Sequence, residues 1–176
     1  MNIKNEKILI RNVTPKDAEK LADWWNDGRV MEHAGFPNGL GISEEEIISD
    51  IEKESDDTTR RHIIEYDGSP IGEMNYRNLG NRQCEIGIKI CDFDMQNKGL
   101  GKKILSMFIG ELFGKYGYTM IKLDTNLENV RAQHVYEQLG FNKVRTNINS
   151  WKDQLGRDQS SVDYELVQAE FKPVFG

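Results

Sequence analysis

The chain reads as an α+β protein built on one mixed, mostly antiparallel sheet of about seven strands with helices against it. Two observations predict this. Short stretches with the period-two alternation of strands are interleaved with apolar stripes at helical spacing, and three strands follow one another in the middle of the chain with only tight-turn signals between them. A length of 176 residues, 38% of them hydrophobic, supports a single domain over 1–176 with an ordinary core.

The elements follow in order. Lys7 to Val13 (KILIRNV) alternates as a first strand, and Thr14-Pro15 is an N-cap followed by proline at the first helical position. Ala18, Leu21, Ala22 and Trp25 continue at helical spacing, and Gly28 is expected to end that helix. The stretch from Glu32 to Gly41 (EHAGFPNGLG) is dense in Gly, Pro and Asn and reads as loop. Ser43 then caps an acidic helix, with Glu46 at capping-box spacing.

RHIIEY, PIGEMNYR and CEIGIKI form an antiparallel meander through the turns Asp67-Gly68-Ser69 and Leu79-Gly80-Asn81. From Gly99 an apolar stripe of Ile104, Leu105, Phe108, Ile109, Leu112 and Phe113 marks a long helix that lasts until Tyr116-Gly117. MIKLDT is a strand and ENVRAQHVYEQL a helix closed by Gly140. Two last strands, FNKVRTNI and SVDYELVQ, flank a loop WKDQLGRDQ.

Composition narrows the function. A net charge of −6 and a pI near 5.2 give no basic field for nucleic acid and suit a cationic partner. No stretch approaches the roughly 18 apolar residues of a membrane span and the N-terminus has no signal core, so the expectation is a cytosolic protein with no membrane partner. Cys84 and Cys91 lack zinc-site spacing and His33, His62 and His134 are scattered; no metal is expected, and the cysteines read as reduced, partly buried thiols.

The segment Gln96–Leu105, QNKGLGKKIL, carries the most chemistry. A helix beginning near Gly99 offers free backbone N–H groups and the positive end of its dipole, and Gly99 and Gly101 let an anion approach without meeting a Cβ. Lys98, Lys102 and Lys103 add positive charge. The pattern is neither a P-loop nor a dinucleotide fingerprint, since the former's second glycine and hydroxyl are missing and Ile104 replaces the latter's third glycine.

CEIGIKICDFDMQNKGLGKKIL resembles the central motif of the GCN5-related N-acetyltransferases (GNAT), a strand followed by a (Q/R)xxGx(G/A) loop, here Gln96, Gly99 and Gly101. NVRAQHVYEQLGF resembles the family's NxxAxxxYxxxGF, matched by Asn129, Ala132, Tyr136, Gly140 and Phe141. The resemblance covers Ile71 to Val144 best, and ILIRNVTPKDAEKLADWWND looks like the start of the subgroup with ribosomal-protein and aminoglycoside acetyltransferases. The segment between Glu85 and Gln96 departs from the common pattern: it is slightly longer and lacks the usual proline at Asp92-Phe93-Asp94.

The resemblance implies acetyl-CoA as cofactor. Gln96, Asn97, Lys98, Gly99, Leu100, Gly101 and Lys102 would hold its pyrophosphate, the strand with Ile88 and Ile90 would pair with its pantetheine arm, Asn129 would reach that arm, and Tyr136 the thioester sulfur. An amide-bearing arm can add as a strand wherever two strands separate.

The acceptor must be a neutral amine. A lysine-like amine of pKa about 10.4 is neutral in only about one molecule in 2,500 at pH 7, a cost near 4.6 kcal/mol, against about 1.2 kcal/mol for an α-amine. Glu85, on the strand beside the cofactor, is the first candidate for the base, with Glu73 and Asp124 as rivals; each also reads as a solvent-facing strand carboxylate. Tyr136 is a weaker acid than a thiol by roughly 2 kcal/mol, so a hydrogen bond to the departing thiolate is its expected role, with a core aromatic as the alternative. Backbone N–H groups of the Ile88–Ile90 strand would stabilise the oxyanion.

The acceptor site is expected in the N-terminal part, where Trp24, Trp25, His33 and Phe36 with Glu44 to Glu46 would make an aromatic and acidic rim; the alternative is a core tryptophan and a solvated helix face. Acetyl transfer to a primary amine is the predicted activity, the acceptor being a polyamine- or aminoglycoside-like small molecule or a protein N-terminus. A noncatalytic acyl-CoA-binding module is the alternative. A thioesterase-like hydrolase finds no Ser-His-Asp or Cys-His arrangement. A homodimer is common in such families.

Overall fold

The computed structural model describes residues 1–174. Eight strands form one sheet in the order β1-β2-β3-β4-β5-β6-β8-β7: β1 Asn2–Asn5, β2 Ile8–Asn12, β3 Thr59–Tyr66, β4 Ser69–Gly80, β5 Gln83–Ile90, β6 Met120–Asn126, β7 Asn142–Lys152 and β8 Asp158–Val167. Five helices pack on it: α1 Ala18–Trp25, α2 Gly28–Met31, α3 Glu44–Glu52, α4 Leu100–Gly114 and α5 Val130–Gln138. The architecture is the α+β sheet expected, with one strand more.

The added strand is β1, which pairs antiparallel with β2. Its sequence, NIKN, carries a single apolar side chain, so its place rests on backbone pairing rather than on a buried face. Two further expectations are corrected. Helix α1 stops at Trp25, and Gly28 does not end it: Gly28 opens α2, capped by the Asp27 side chain, and position 28 needs glycine because a Cβ there would strike the Pro37 carbonyl. The last loop is also shorter than expected, since Trp151 and Lys152 extend β7 while Asp158 and Gln159 begin β8.

The alternation along each strand feeds two apolar clusters on opposite faces. On one, Ile64, Met74, Tyr76, Ile121 and Leu166 pack against Ile104, Phe108 and Leu112 of α4 and Tyr136 of α5. On the other, Ile63 packs against Leu21 and Trp25 of α1 and Ile47 and Ile51 of α3. Each such side chain contributes about 1.5–3 kcal/mol when fully buried, and the two layers clamp β3 to β5 between them. The capping box of α3 forms as its spacing predicts, with Glu46 N–H donating to the Ser43 hydroxyl and Ser43 N–H to the Glu46 carboxylate.

Every neighbouring pair is antiparallel except β5 and β6. That parallel pairing covers only Gln83–Glu85 against Met120–Lys122. Beyond it β5 stays with β4 as far as Ile90, while β6 follows β8 as far as Asn126. The sheet therefore splits, and the side of β5 facing β6 offers its backbone to a further partner.

Both cysteines are fully buried rather than partly so, and burial pushes the Cys84 thiol up to about 12 and the Cys91 thiol higher still. Among the described residues no cluster of metal-ligating side chains forms, and no helix is long and apolar enough to cross a membrane.

Candidate active site

The split opens into a cavity of about 910 Å³. Its floor is β5 from Glu85 to Ile90, one wall is the turn and helix start from Gln96 to Lys102, and the other is β6 and α5 from Leu123 to Tyr136. These are the two motif segments of the sequence, brought together by α4 and β6 passing between them.

The turn before α4 is shaped for an anion. Asn97 and Gly99 both take left-handed backbone conformations, at φ +64° and +74°, and so curl the chain into the helix N-terminus. A Cβ placed on Gly99 or Gly101 would meet nothing within 4 Å, so the space in front of the free N–H groups is open. Gln96 acts from behind: its Nε2 donates to the Ile90 carbonyl at 2.9 Å and ties the turn to the end of β5. Of the three lysines, Lys102 lines the cavity, Lys103 pairs with Glu6 at 3.0 Å, and Lys98 does not reach the wall.

Asn129 and Tyr136 share the cavity face of α5, as their two-turn separation requires. The Asn129 Oδ1 is engaged as the N-cap, accepting from Ala132 N–H at 3.2 Å. Tyr136 is 7% exposed and packs edge-on to Phe141 and Tyr164. Burial and the nearby Asp124 charge push its phenol up to about 12. Tyr136 is a core aromatic, as the alternative reading expected, and it also faces the cavity.

Glu85 and Asp124 stand where β5 and β6 part, with Asp163 opposite Asp124 on β8. Glu85 is 42% exposed and accepts from Arg77 at 3.0 Å. Asp124 opens to solvent inside the cavity, yet the surrounding protein and the charges of Glu85 and Asp163 hold its carboxyl above the usual range. Glu73 lies elsewhere: it is 8% exposed, accepts from the Trp25 indole N–H at 2.6 Å, and has Lys89 at 3.8 Å. Trp24 and Trp25 are both buried in the α1–α3 cluster. The expected N-terminal rim is thus corrected, because Trp24, Trp25, Phe36 and Glu44 to Glu46 are outside the cavity wall and His33 alone of that rim lines it; Glu73 is outside the wall as well.

Sequence reasoning missed Arg29, Asn75, Asn126, Trp151 and Ser161, all of which line the cavity. No local motif marks them. The face alternation of β6 and β8 could have found Asn126 and Ser161, which are directly paired.

The chain matches the family model for the acetyltransferase (GNAT) domain over residues 7–142. It belongs to that family. It is 27% identical over 158 residues to an aminoglycoside N(6')-acetyltransferase type 1 of Klebsiella pneumoniae, covering 81% of this chain and 77% of the relative. Spermidine N-acetyltransferase from Vibrio cholerae, solved with CoA and spermine, superposes with a TM-score of 0.81 at 21% identity over 94% of this chain and 98% of its own. The ribosomal-protein-S5-alanine acetyltransferase of Vibrio fischeri gives 0.82 at 16% identity over 98% and 100%. At these identities the two structures establish the fold. The chain is an acetyl-CoA-dependent N-acetyltransferase, and the open turn at Gly99–Gly101 with the unpaired side of β5 fits the phosphates and amides of that donor.

Proposed function

We propose that this chain, as one domain over 1–176, acetylates a cationic primary amine in the cytosol, and that the charge at the mouth of the split selects it. The carrying observation is that Glu85 and Asp124 line the cavity beside Tyr136, with Asp163 paired behind Asp124 on β8. The two cavity carboxylates favour an ammonium on arrival and then have to remove its proton.

Asp124 is suited to that step, because a carboxyl held above its ordinary value is a stronger base than a free one. Glu85 shares the task, directly or through water, since it raises Asp124 and is itself open to solvent. Glu73 is too enclosed by Trp25 and Lys89 to serve.

Acetyl-CoA supplies the thioester whose carbonyl carbon the neutral amine attacks. Asn97 and the turn from Gly99 to Lys102 would hold its phosphates, with Gln96 tying that turn to β5; backbone N–H groups between Ile88 and Ile90 would stabilise the oxygen that gains charge, and Asn129 would steady the arm from the opposite wall. Tyr136 would donate a hydrogen bond to the sulfur. With its phenol near 12, outright proton transfer to a thiolate of pKa about 8.5 would be uphill by about 5 kcal/mol.

The relatives are named for an aminoglycoside or spermidine on one side and for the alanine of a ribosomal protein on the other. The acidic mouth supports the former. Free-thiol release from acetyl-CoA over a panel of aminoglycosides, polyamines and N-terminal peptides tests this: turnover on a multiply charged amine is expected, and turnover on the peptides alone would refute it. CoA binding with no turnover on any amine would favour the noncatalytic module. A homodimer belongs to the same proposal, supported by the open edge of β7, where Val144 and Ile148 are exposed. Sedimentation of the pure chain decides it.

A further inference from the structure

Two segments more than a hundred residues apart in sequence meet beside the cavity. One is Gly35–Gly39, just after α2; the other is the tip of the β7–β8 hairpin. Gln154 joins them three times: its N–H donates to the Gly35 carbonyl at 2.8 Å, its Oε1 accepts from Asn38 N–H at 2.9 Å, and its Nε2 donates to the Gly39 carbonyl at 3.0 Å. The tip itself is braced by the Asp153 carboxylate, which accepts from the N–H groups of Leu155 and Arg157, each at 2.9 Å.

This latch holds Trp151. A Cβ built on Gly35 would lie 2.4 Å from Cζ3 and 2.9 Å from Cη2 of its indole, so the ring occupies the space that any other residue at 35 would claim. Trp151 lines the cavity together with His33 and Ala34. A rigid aromatic held by a polar latch presents one fixed face, and an indole face rewards methylene groups by area and a nearby ammonium by its quadrupole.

We propose that Trp151 is a specificity-determining wall of the acceptor site and that Gly35 and Gln154 are its positioning residues. The acceptor it selects is a primary amine on an unbranched aliphatic chain bearing a second cation. A peptide α-amine brings polar amide groups that the indole face leaves without partners. The assignment rests on the reading of this cavity as an amine-acceptor site.

The test compares putrescine with an alanyl tripeptide as acceptors, and measures acetyl-CoA affinity by calorimetry alongside. Trp151→Ala should raise the putrescine KM by about tenfold with kcat and acetyl-CoA affinity little changed, and Trp151→Phe should recover most of the loss. Gly35→Ala should reproduce the Trp151→Ala rise in putrescine KM, and the KM of the double variant should be no worse than that of Trp151→Ala alone, while the strain any side chain meets at φ +95° lowers the melting temperature of both Gly35 variants alike. An unchanged KM in Trp151→Ala overturns the wall, and a KM penalty of Gly35→Ala that persists in full without the indole overturns the positioning. A wild-type preference for the tripeptide overturns the acceptor class. If Gly35→Ala fails to fold, the Trp151 variants still decide. Wild-type failure on every amine takes down the proposed function and this assignment together, whereas wild-type turnover with an indifferent Trp151→Ala takes down only this one.

Discussion

The donor half of the cavity rests on two short motif stretches, and the acceptor half on two segments more than a hundred residues apart. Gln96–Lys102 and Asn129–Tyr136 act through local geometry: a left-handed turn, a helix end and a two-turn spacing. The acceptor half joins the segment after α2 to a hairpin tip beyond residue 150, through Gln154 and the fit of Trp151 on Gly35. Local geometry repeats wherever its residues repeat, whereas a long-range fit can be altered one side chain at a time. The difference explains how one donor can serve many acceptors on this fold.

The widest separation between the halves should come at Gly101. Gly101→Val places a branched side chain in open space in front of the helix N-terminus, so acetyl-CoA affinity should fall by about 1,000-fold, near 4 kcal/mol, with the melting temperature unchanged. Calorimetry with retained affinity would dissolve the donor half as described.

His62 tests the frame beneath. It is fully buried between Tyr76 and Phe108 with neither ring nitrogen hydrogen-bonded, and burial pushes it down to about 3. The unfolded imidazole titrates near 6.5, so the unfolded chain binds the extra proton and stability falls as pH drops from about 6.5 towards 3. By pH 4 the loss is about 3 kcal/mol. Denaturant melts across that range should show it in the wild type and not in His62→Phe; parallel curves would mean that the ring finds a partner.

A smaller effect belongs to Tyr136, at the boundary of the halves. Tyr136→Phe keeps the packing against Phe141 and Tyr164 and removes only the hydroxyl, so kcat should fall about 30-fold, near 2 kcal/mol, with acetyl-CoA affinity held. Equal rates would make the tyrosine purely structural.

The smallest is at Glu85. Replacing it by Gln removes one of the charges that raise Asp124, so the acid limb of kcat/KM should move to lower pH by less than about one unit, whereas Asp124→Asn should abolish that limb. A limb that stays put in Glu85→Gln and survives in Asp124→Asn would leave water as the base.

What was legible in the sequence follows the same division. The capping box at Ser43, the meander from β3 to β5 and the turn at Gly99 are decided within a few residues, and all formed as read. The missed strand β1 has almost no side-chain pattern and exists through pairing with β2. Trp25 looked like a rim residue because its own helix spacing says only that it faces inward somewhere; the buried Glu73 that receives its N–H lies 48 positions away. Trp151 looked like loop because hairpin length is set by the Asp153 turn and the Gln154 latch, neither of which has a periodic signature.

The central claim is that the parting of β5 and β6, closed by the start of α4, is where acetyl-CoA binds. Amide hydrogen exchange with and without acetyl-CoA measures it directly. Protection gained in the peptides spanning 86–90 and 97–102, with the β7–β8 hairpin unchanged, is the predicted result; binding that leaves both segments exchanging as before would contradict it.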